Sequence, residues 1–172
     1  EEQNAQKIKS LYSALSQVNQ LIIREKKIPR LFKEVCNLIA DFAGFEKVCL
    51  YKYQPEKKDL TLIASSSSGN SFKHQSKTSS IKLPGTPNLL RKTLLNGKIH
   101  FYNNQKQIEN DPFLKSKILS KNIKSVISLP IKSLTGEKLV LVILISEANY
   151  FDSQVRIIMN DMANDISFAY NL

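Results

Sequence analysis

The chain has 172 residues, 42% hydrophobic and 23% charged, which suits one globular domain able to bury a core of its own. No apolar run approaches the ~20 residues of a membrane span, and two cysteines without CxxC or metal-type spacing exclude a disulfide framework or zinc site. The net charge of +10 is confined to Ser65–Lys132, where twelve lysines and arginines meet only Glu109 and Asp111. Such an excess reads either as solvated lysines or as attraction for an anionic ligand, and lysine outnumbers the arginine of specific bidentate contacts. The first residue is Glu1 rather than Met, so the chain reads as a segment of a longer protein.

In chain order, Ile8, Leu11, Leu15, Val18 and Ile22 recur at 3-4-3-4 spacing, which predicts a helix over roughly Gln3–Lys26 with a heptad seam. Pro29 opens a second helix carrying Leu31, Phe32, Val35, Leu38, Ile39 and Phe42 on one face, and Gly44 ends it. Phe45–Tyr53 then reads as a central strand, with Val48 and Leu50 on one face and Cys49, Tyr51 and Tyr53 on the other. The turn Gln54–Lys58 returns the chain into Leu60–Ala64, and Ser65–Ser71 is a loop too polar to pack.

Ser80–Leu83 is a short candidate strand, and Thr86–Pro87 suggests a helix cap with Gly97 as the stop. Ile99–Tyr102 reads as a strand, and Asp111–Pro112 caps a short helix with Phe113, Leu114 and Ile118. Ile123–Ile131 and Leu139–Ile145 form a hairpin around Thr135–Gly136. Asp152 caps a last helix in which Val155, Met159, Met162, Ile166 and Ala169 repeat the heptad spacing. Strands joined by hairpins predict an α+β fold with one antiparallel sheet of five or six strands. The terminal helices belong on one face and the short helices on the other. The whole chain is one domain: a helix over 1–26, a core over 28–150 and a helix over 152–172.

Catalytic constellations are weak. Ser65–Ser68 lacks a nucleophile-elbow context, His74 and His100 have no partner at ligand spacing, and Asp111 reads as a cap rather than half of a carboxylate pair with Glu109. Cys36 and Cys49 lie in apolar segments and read as buried thiols, which favours a reducing cytoplasm.

The order of elements resembles the GAF domain family, of the kind preceding GGDEF, EAL or histidine-kinase output domains. The resemblance is carried by Leu15–Ile22, Leu31–Leu38, Gly44–Phe45, Asp111–Pro112–Phe113, Lys124–Ile131, Tyr150–Asp152 and Met162–Ala169. It departs from the family at Pro84–Gly85–Thr86–Pro87, where many relatives have a Gly-rich start, and it lacks a pocket cysteine for a bilin and the cyclic-nucleotide pattern. The resemblance implies a PAS-related sensor fold in a bacterial cytoplasmic signalling protein, with cyclic-di-GMP turnover or kinase output, and no catalysis of its own. A reductase of free methionine sulfoxide, known among such relatives, would need reactive pocket cysteines. The charge excess over Ser65–Lys132 points to a small anionic ligand, expected near Tyr51, Tyr53, Lys82, Arg91, Phe113 and Ser125 on the central strand and on the segments that wall the pocket in similar domains. No metal, cofactor, nucleic acid or membrane contact is expected. The two seams imply a homodimer through Ile8, Leu11, Leu15, Val18 and Ile22 and through Val155, Met159, Met162 and Ile166. The alternative is a ligand-free dimerisation spacer.

Overall fold

The computed structural model describes residues 2–67, 72 and 80–172. His74, Lys73, Lys77 and most of the Ser65–Ser71 loop lie outside the described residues, as does the Phe42 side chain. The elements are α1 (Glu2–Arg24), α2 (Ile28–Ala43), β1 (Lys47–Gln54), β2 (Asp59–Ser65), β3 (Ser80–Lys82), α3 (Leu89–Asn96), β4 (His100–Tyr102), α4 (Gln105–Glu109), α5 (Pro112–Lys117), β5 (Ser125–Lys132), β6 (Lys138–Ile145) and α6 (Ser153–Tyr170). The six strands form one antiparallel sheet in the order β3-β2-β1-β6-β5-β4. Among the described residues no helix is long and apolar enough to cross a membrane.

Local chemistry explains most boundaries. Gly44 closes α2 at φ 71° and donates its N–H to the Ala40 carbonyl, a left-handed conformation that costs glycine little. Asp152 and Asp111 accept from the N–H groups of Val155 and Leu114, so both expected aspartate caps form. The start of α3 differs from expectation: Asn88, not Thr86, accepts from Arg91 N at 2.9 Å. Pro87 precedes that cap, where its fixed φ leads the chain in without spending an N–H. Pro130 sits inside β5, but β4 pairs only with Val126–Ser128, so the missing donor falls beyond the end of that neighbour.

Strand alternation divides the interior into two layers. Val48, Leu50, Ile127, Leu129, Ile131 and Leu141 face α1, α2 and α6, whereas Cys49, Tyr51, Val126, Val140 and Val142 face α3–α5. Both seams lie in the first layer. Leu11, Val18, Val155, Met159, Met162 and Ile166 are buried in their own chain, and Ile8, Leu15 and Ile22 pack against the same core. The six buried residues are closed to a partner chain, which corrects their assignment to a dimer contact; Ile8, Leu15 and Ile22 are only partly buried. Heptad spacing drifts only about 20° per seven residues from an ideal helix, so over three heptads it cannot distinguish a partner helix from the chain's own core. The outward stripes are different residues, Tyr12 and Ile23 on α1 and Ile157 and Phe168 on α6.

Candidate functional site

The layer beneath α3–α5 is built around Tyr51, at the centre of β1 and fully buried. Its ring centroid lies 6.1 Å from that of Phe72. Burial first, then the neighbouring Cys49, pushes its phenol well above the ordinary tyrosine range, so it stays protonated at working pH. Tyr53 is half-buried against the same layer and Phe113 is buried in it. The structure thus brings together three of the six residues expected to bind a ligand.

The others are placed elsewhere. Lys82 points outward from the edge strand β3, where its ammonium lies 3.0 Å from an Asp59 carboxylate oxygen and donates to the Lys57 carbonyl at 2.9 Å. Ser125 shares its strand parity with Ile127 and Leu129, and its hydroxyl donates to the Glu147 carbonyl at 2.7 Å. Arg91 is half-buried on α3.

Polar groups that the sequence reading did not assemble organise this face. The buried carboxylate of Asp111 accepts three hydrogen bonds, from Leu114 N at 3.0 Å, Leu89 N at 2.9 Å and the Tyr102 hydroxyl at 2.8 Å. It therefore caps α5, holds the first residue of α3 and ties both to β4. Burial and then the Asp111 hydrogen bond raise the Tyr102 phenol above its ordinary range. One residue further, the Asn103 side chain clasps the backbone of Phe151, accepting from its N–H at 2.9 Å and donating to its carbonyl at 3.3 Å. The Asn103 carbonyl also accepts from Asn149 N at 2.7 Å. Arg156 donates to the same Phe151 carbonyl at 2.7 Å and lies 4.6 Å from the centroid of the Phe101 ring. From α1, Lys7 reaches the Tyr150 carbonyl at 3.3 Å and Asp152 at 3.6 Å. Asp111 carried a local signal as a cap; its bonds to Leu89 and Tyr102, and the Asn103 clasp, had none.

Other chemical groups are muted. The Cys36 and Cys49 thiols are free and buried, and burial pushes each up to about 12. His100 sits 3.1 Å from the Asn96 side-chain oxygen, and burial, then Lys92 and Lys98, lowers its pKa. Among the described residues no group of three His, Cys, Asp or Glu side chains could hold a metal ion. Ser128 Oγ, under α3, is buried without a hydrogen-bond partner among the described residues. Two grooves open beside the layer. One, of about 350 Å³, separates the end of α3 from the β5–β6 hairpin. The other, of about 680 Å³, runs between α4, α5 and the turn into β5.

No family model matches the chain, and no curated protein matches it either. Solved structures do. The free methionine-R-sulfoxide reductase of Neisseria meningitidis, solved with its substrate, has a TM-score of 0.73 at 14% identity, covering 93% of this chain and 87% of that one. The GAF domain of an Acinetobacter phosphoenolpyruvate-protein phosphotransferase has a TM-score of 0.70 at 15% identity, over 92% and 90%. The phycocyanobilin-bound GAF domain of a cyanobacterial phytochrome has a TM-score of 0.68 at 16% identity, over 93% of each chain. The chain has the GAF fold. The first of these similar structures is an enzyme, which corrects the expectation that the fold brings no catalysis of its own. The residues speak only to thiol chemistry by Cys36 and Cys49, which protonation and burial oppose.

Proposed function

We propose that this GAF-fold chain is a regulatory domain that binds a small molecule on its α3–α5 face and passes occupancy to α1 and α6. The reading places it in a bacterial cytoplasmic signalling protein with cyclic-di-GMP turnover or kinase output. The observation that carries it is the continuity of β4. Tyr102 is tied through Asp111 to the starts of α3 and α5, and the adjacent Asn103 is tied to the entry of α6. A ligand that moved α3 or α5 would pull on a strand bonded to both sides. Packed elements respond to such a pull by discrete shifts rather than continuous bending.

The test is a thermal-shift screen of acidic and neutral metabolites, with free methionine-R-sulfoxide among them, followed by hydrogen exchange with each hit. A ligand should raise the melting temperature and change protection at 150–158. Asn103→Ala should keep ligand binding and lose the change in α6. Protection changes that survive Asn103→Ala would refute this route.

A second reading is a ligand-free spacer. It is favoured by how densely the described side chains fill the α3–α5 layer around Tyr51. A screen without hits would leave the spacer standing. Either reading has the chain dimerise, now through the outward stripe of α1 and α6 around Tyr12, Ile23, Ile157 and Phe168.

A further inference from the structure

The groove between α4, α5 and the turn into β5 combines an apolar wall with a basic rim. Its open apolar surface is Leu119, 57% exposed, and half-buried Ile118, backed by buried Ile108 and Ile123. A single exposed leucine is ordinary, but this one adjoins three other aliphatic side chains in one concavity. Around the wall stand Lys115, Lys121 and Lys124, all exposed. Among the described residues none of the three is in a salt bridge; the ion pairs there belong to Lys7, Lys52 and Lys82. Among the described residues the one carboxylate lining the groove is Glu109, because nearby Asp111 is buried and occupied by its three hydrogen bonds.

The rim is also held in place. The Gln105 side-chain amide donates to the Lys121 carbonyl at 2.5 Å, and Asn122 N donates to Ser120 Oγ at 3.1 Å. Lys124 N is bound to the Ile145 carbonyl at 2.9 Å, which anchors the turn to the sheet. A groove of about 680 Å³ lies within the size range of small-ligand sites.

We infer that this groove binds a small amphiphilic anion, with its head among Lys115, Lys121 and Lys124 and its apolar body along Ile118 and Leu119. The charge is complementary to an anion, and the floor would be wasted on a wholly polar one. Among the described residues the lining has lysines without an arginine or aromatic platform, which does not suit a nucleic-acid strand that stacks bases as well as pairing charges. The inference rests on the reading of a ligand-binding regulatory domain and places the ligand at the outer edge of the same face, over Ile108, Ile118 and Ile123 of the Tyr51 layer.

The experiment titrates the whole chain with decanoate, decyl phosphate, decanol and propionate, reading amide NMR shifts and calorimetry. Decanoate or decyl phosphate should bind with shifts centred on 105–124, and the ratio of their affinities distinguishes a carboxylate from a phosphate head. Decanol and propionate should each bind at least about tenfold more weakly, the equivalent of one lost contact class. Lys121→Glu with Lys124→Glu should weaken the anion about tenfold or more, and raising salt should weaken it further. Leu119→Ser should weaken it roughly fivefold, from the apolar surface lost. All three positions are exposed, so the variants should melt with the parent.

Equal binding of decanol and decanoate, shifts away from 105–124, or an unaffected Lys121/Lys124 variant would overturn the site. Preferential binding of a single-stranded oligonucleotide through the same lysines would overturn it too. Anion binding here without altered protection in α6 supports the site and counts against the regulatory reading. A different ligand that protects α6, with decanoate inert, does the reverse.

Discussion

The two faces of the sheet are packed by different chemistry. Under α1, α2 and α6 the core is mostly aliphatic, sulfur-bearing and aromatic, with Leu11, Phe32, Ile39, Met159 and Met162 almost wholly excluded from water and Ser125 buried on the same side. Under α3–α5 the apolar residues share the space with buried Asn88, Thr93, Asp111 and Ser128. Apolar contacts are non-directional, so the first layer tolerates adjustment and serves as scaffold. Buried hydrogen bonds demand one geometry, so the second layer is specified by few groups and is sensitive to each. Shorter helices reinforce the contrast, since α4 and α5 would not persist without their tertiary contacts.

The contrast can be broken most severely from the scaffold side. Met159→Lys should abolish folding, because the site offers no partner for a buried charge. Phe32→Ala should leave a folded protein weakened by about 3–5 kcal/mol, read from its urea midpoint. A folded, stable Met159→Lys monomer would restore α6 as a dimer seam.

On the other face, Asp111→Ala strands two backbone N–H groups and a phenol and should cost about 3 kcal/mol. Asp111→Asn, which keeps an acceptor for one of the helix starts, should cost less. Exchange measurements should show the Asp111→Ala loss concentrated in α3 and α5, with α1 and α2 protected as before. Uniform loss across both faces would mean that the layers do not differ as described.

The thiols give an effect that depends on pH. Both cysteines are raised in the folded state from an ordinary value of 9.0 to about 12 by burial. In that window the unfolded chain holds fewer protons than the folded one. Their stabilisation is therefore complete below about pH 9 and is lost as pH rises towards 12, on the order of 1–2 kcal/mol per thiol by pH 10.5. Replacing Cys36 and Cys49 by alanine should flatten the alkaline fall in the urea midpoint. At neutral pH, Ellman's reagent should find neither thiol in the native protein and both in denaturant. Rapid native labelling would contradict their burial.

The smallest effect belongs to the outer surface. Ile157 and Phe168 are 61% and 66% exposed, so Ile157→Lys with Phe168→Lys should change stability by no more than about 0.5 kcal/mol per site. If the chain dimerises through this stripe, sedimentation should show the double variant as a folded monomer. A wild type that is monomeric at high concentration would remove the stripe as an interface.

What could be read before the fold was known is what short stretches of chain dictate. Gly44, Gly97, Asp111 and Asp152 act on backbone groups within four or five residues, so their roles were visible in place. The two-residue period of β1 showed which side chains share a face, and Tyr51 and Tyr53 were picked out in that way, whereas Phe113 came from the resemblance of Asp111–Pro112–Phe113. The short helix α4 was missed, since five residues with one buried apolar side chain, Ile108, give no period to detect. Lys82 and Ser125 were drawn into the candidate site by position alone, and their actual partners, Asp59 and Glu147, lie 23 and 22 residues away.

The sequence by itself therefore determined every helix but α4, the strands, their faces and the ends of most elements, because hydrogen bonding and side-chain period act over a turn or a strand. It also determined that the charge excess falls in the segment Ser65–Lys132, which contains α3–α5. Only the tertiary structure decided what covers the heptad seams, since an apolar stripe is satisfied equally by a second chain or by the sheet beneath it. It likewise decided that Asp111 would serve three donors and that Asn103 would clasp Phe151 across 48 residues. A polar side chain carries no mark of its distant partner, because hydrogen-bonding capacity is the same whichever donor the fold brings within reach.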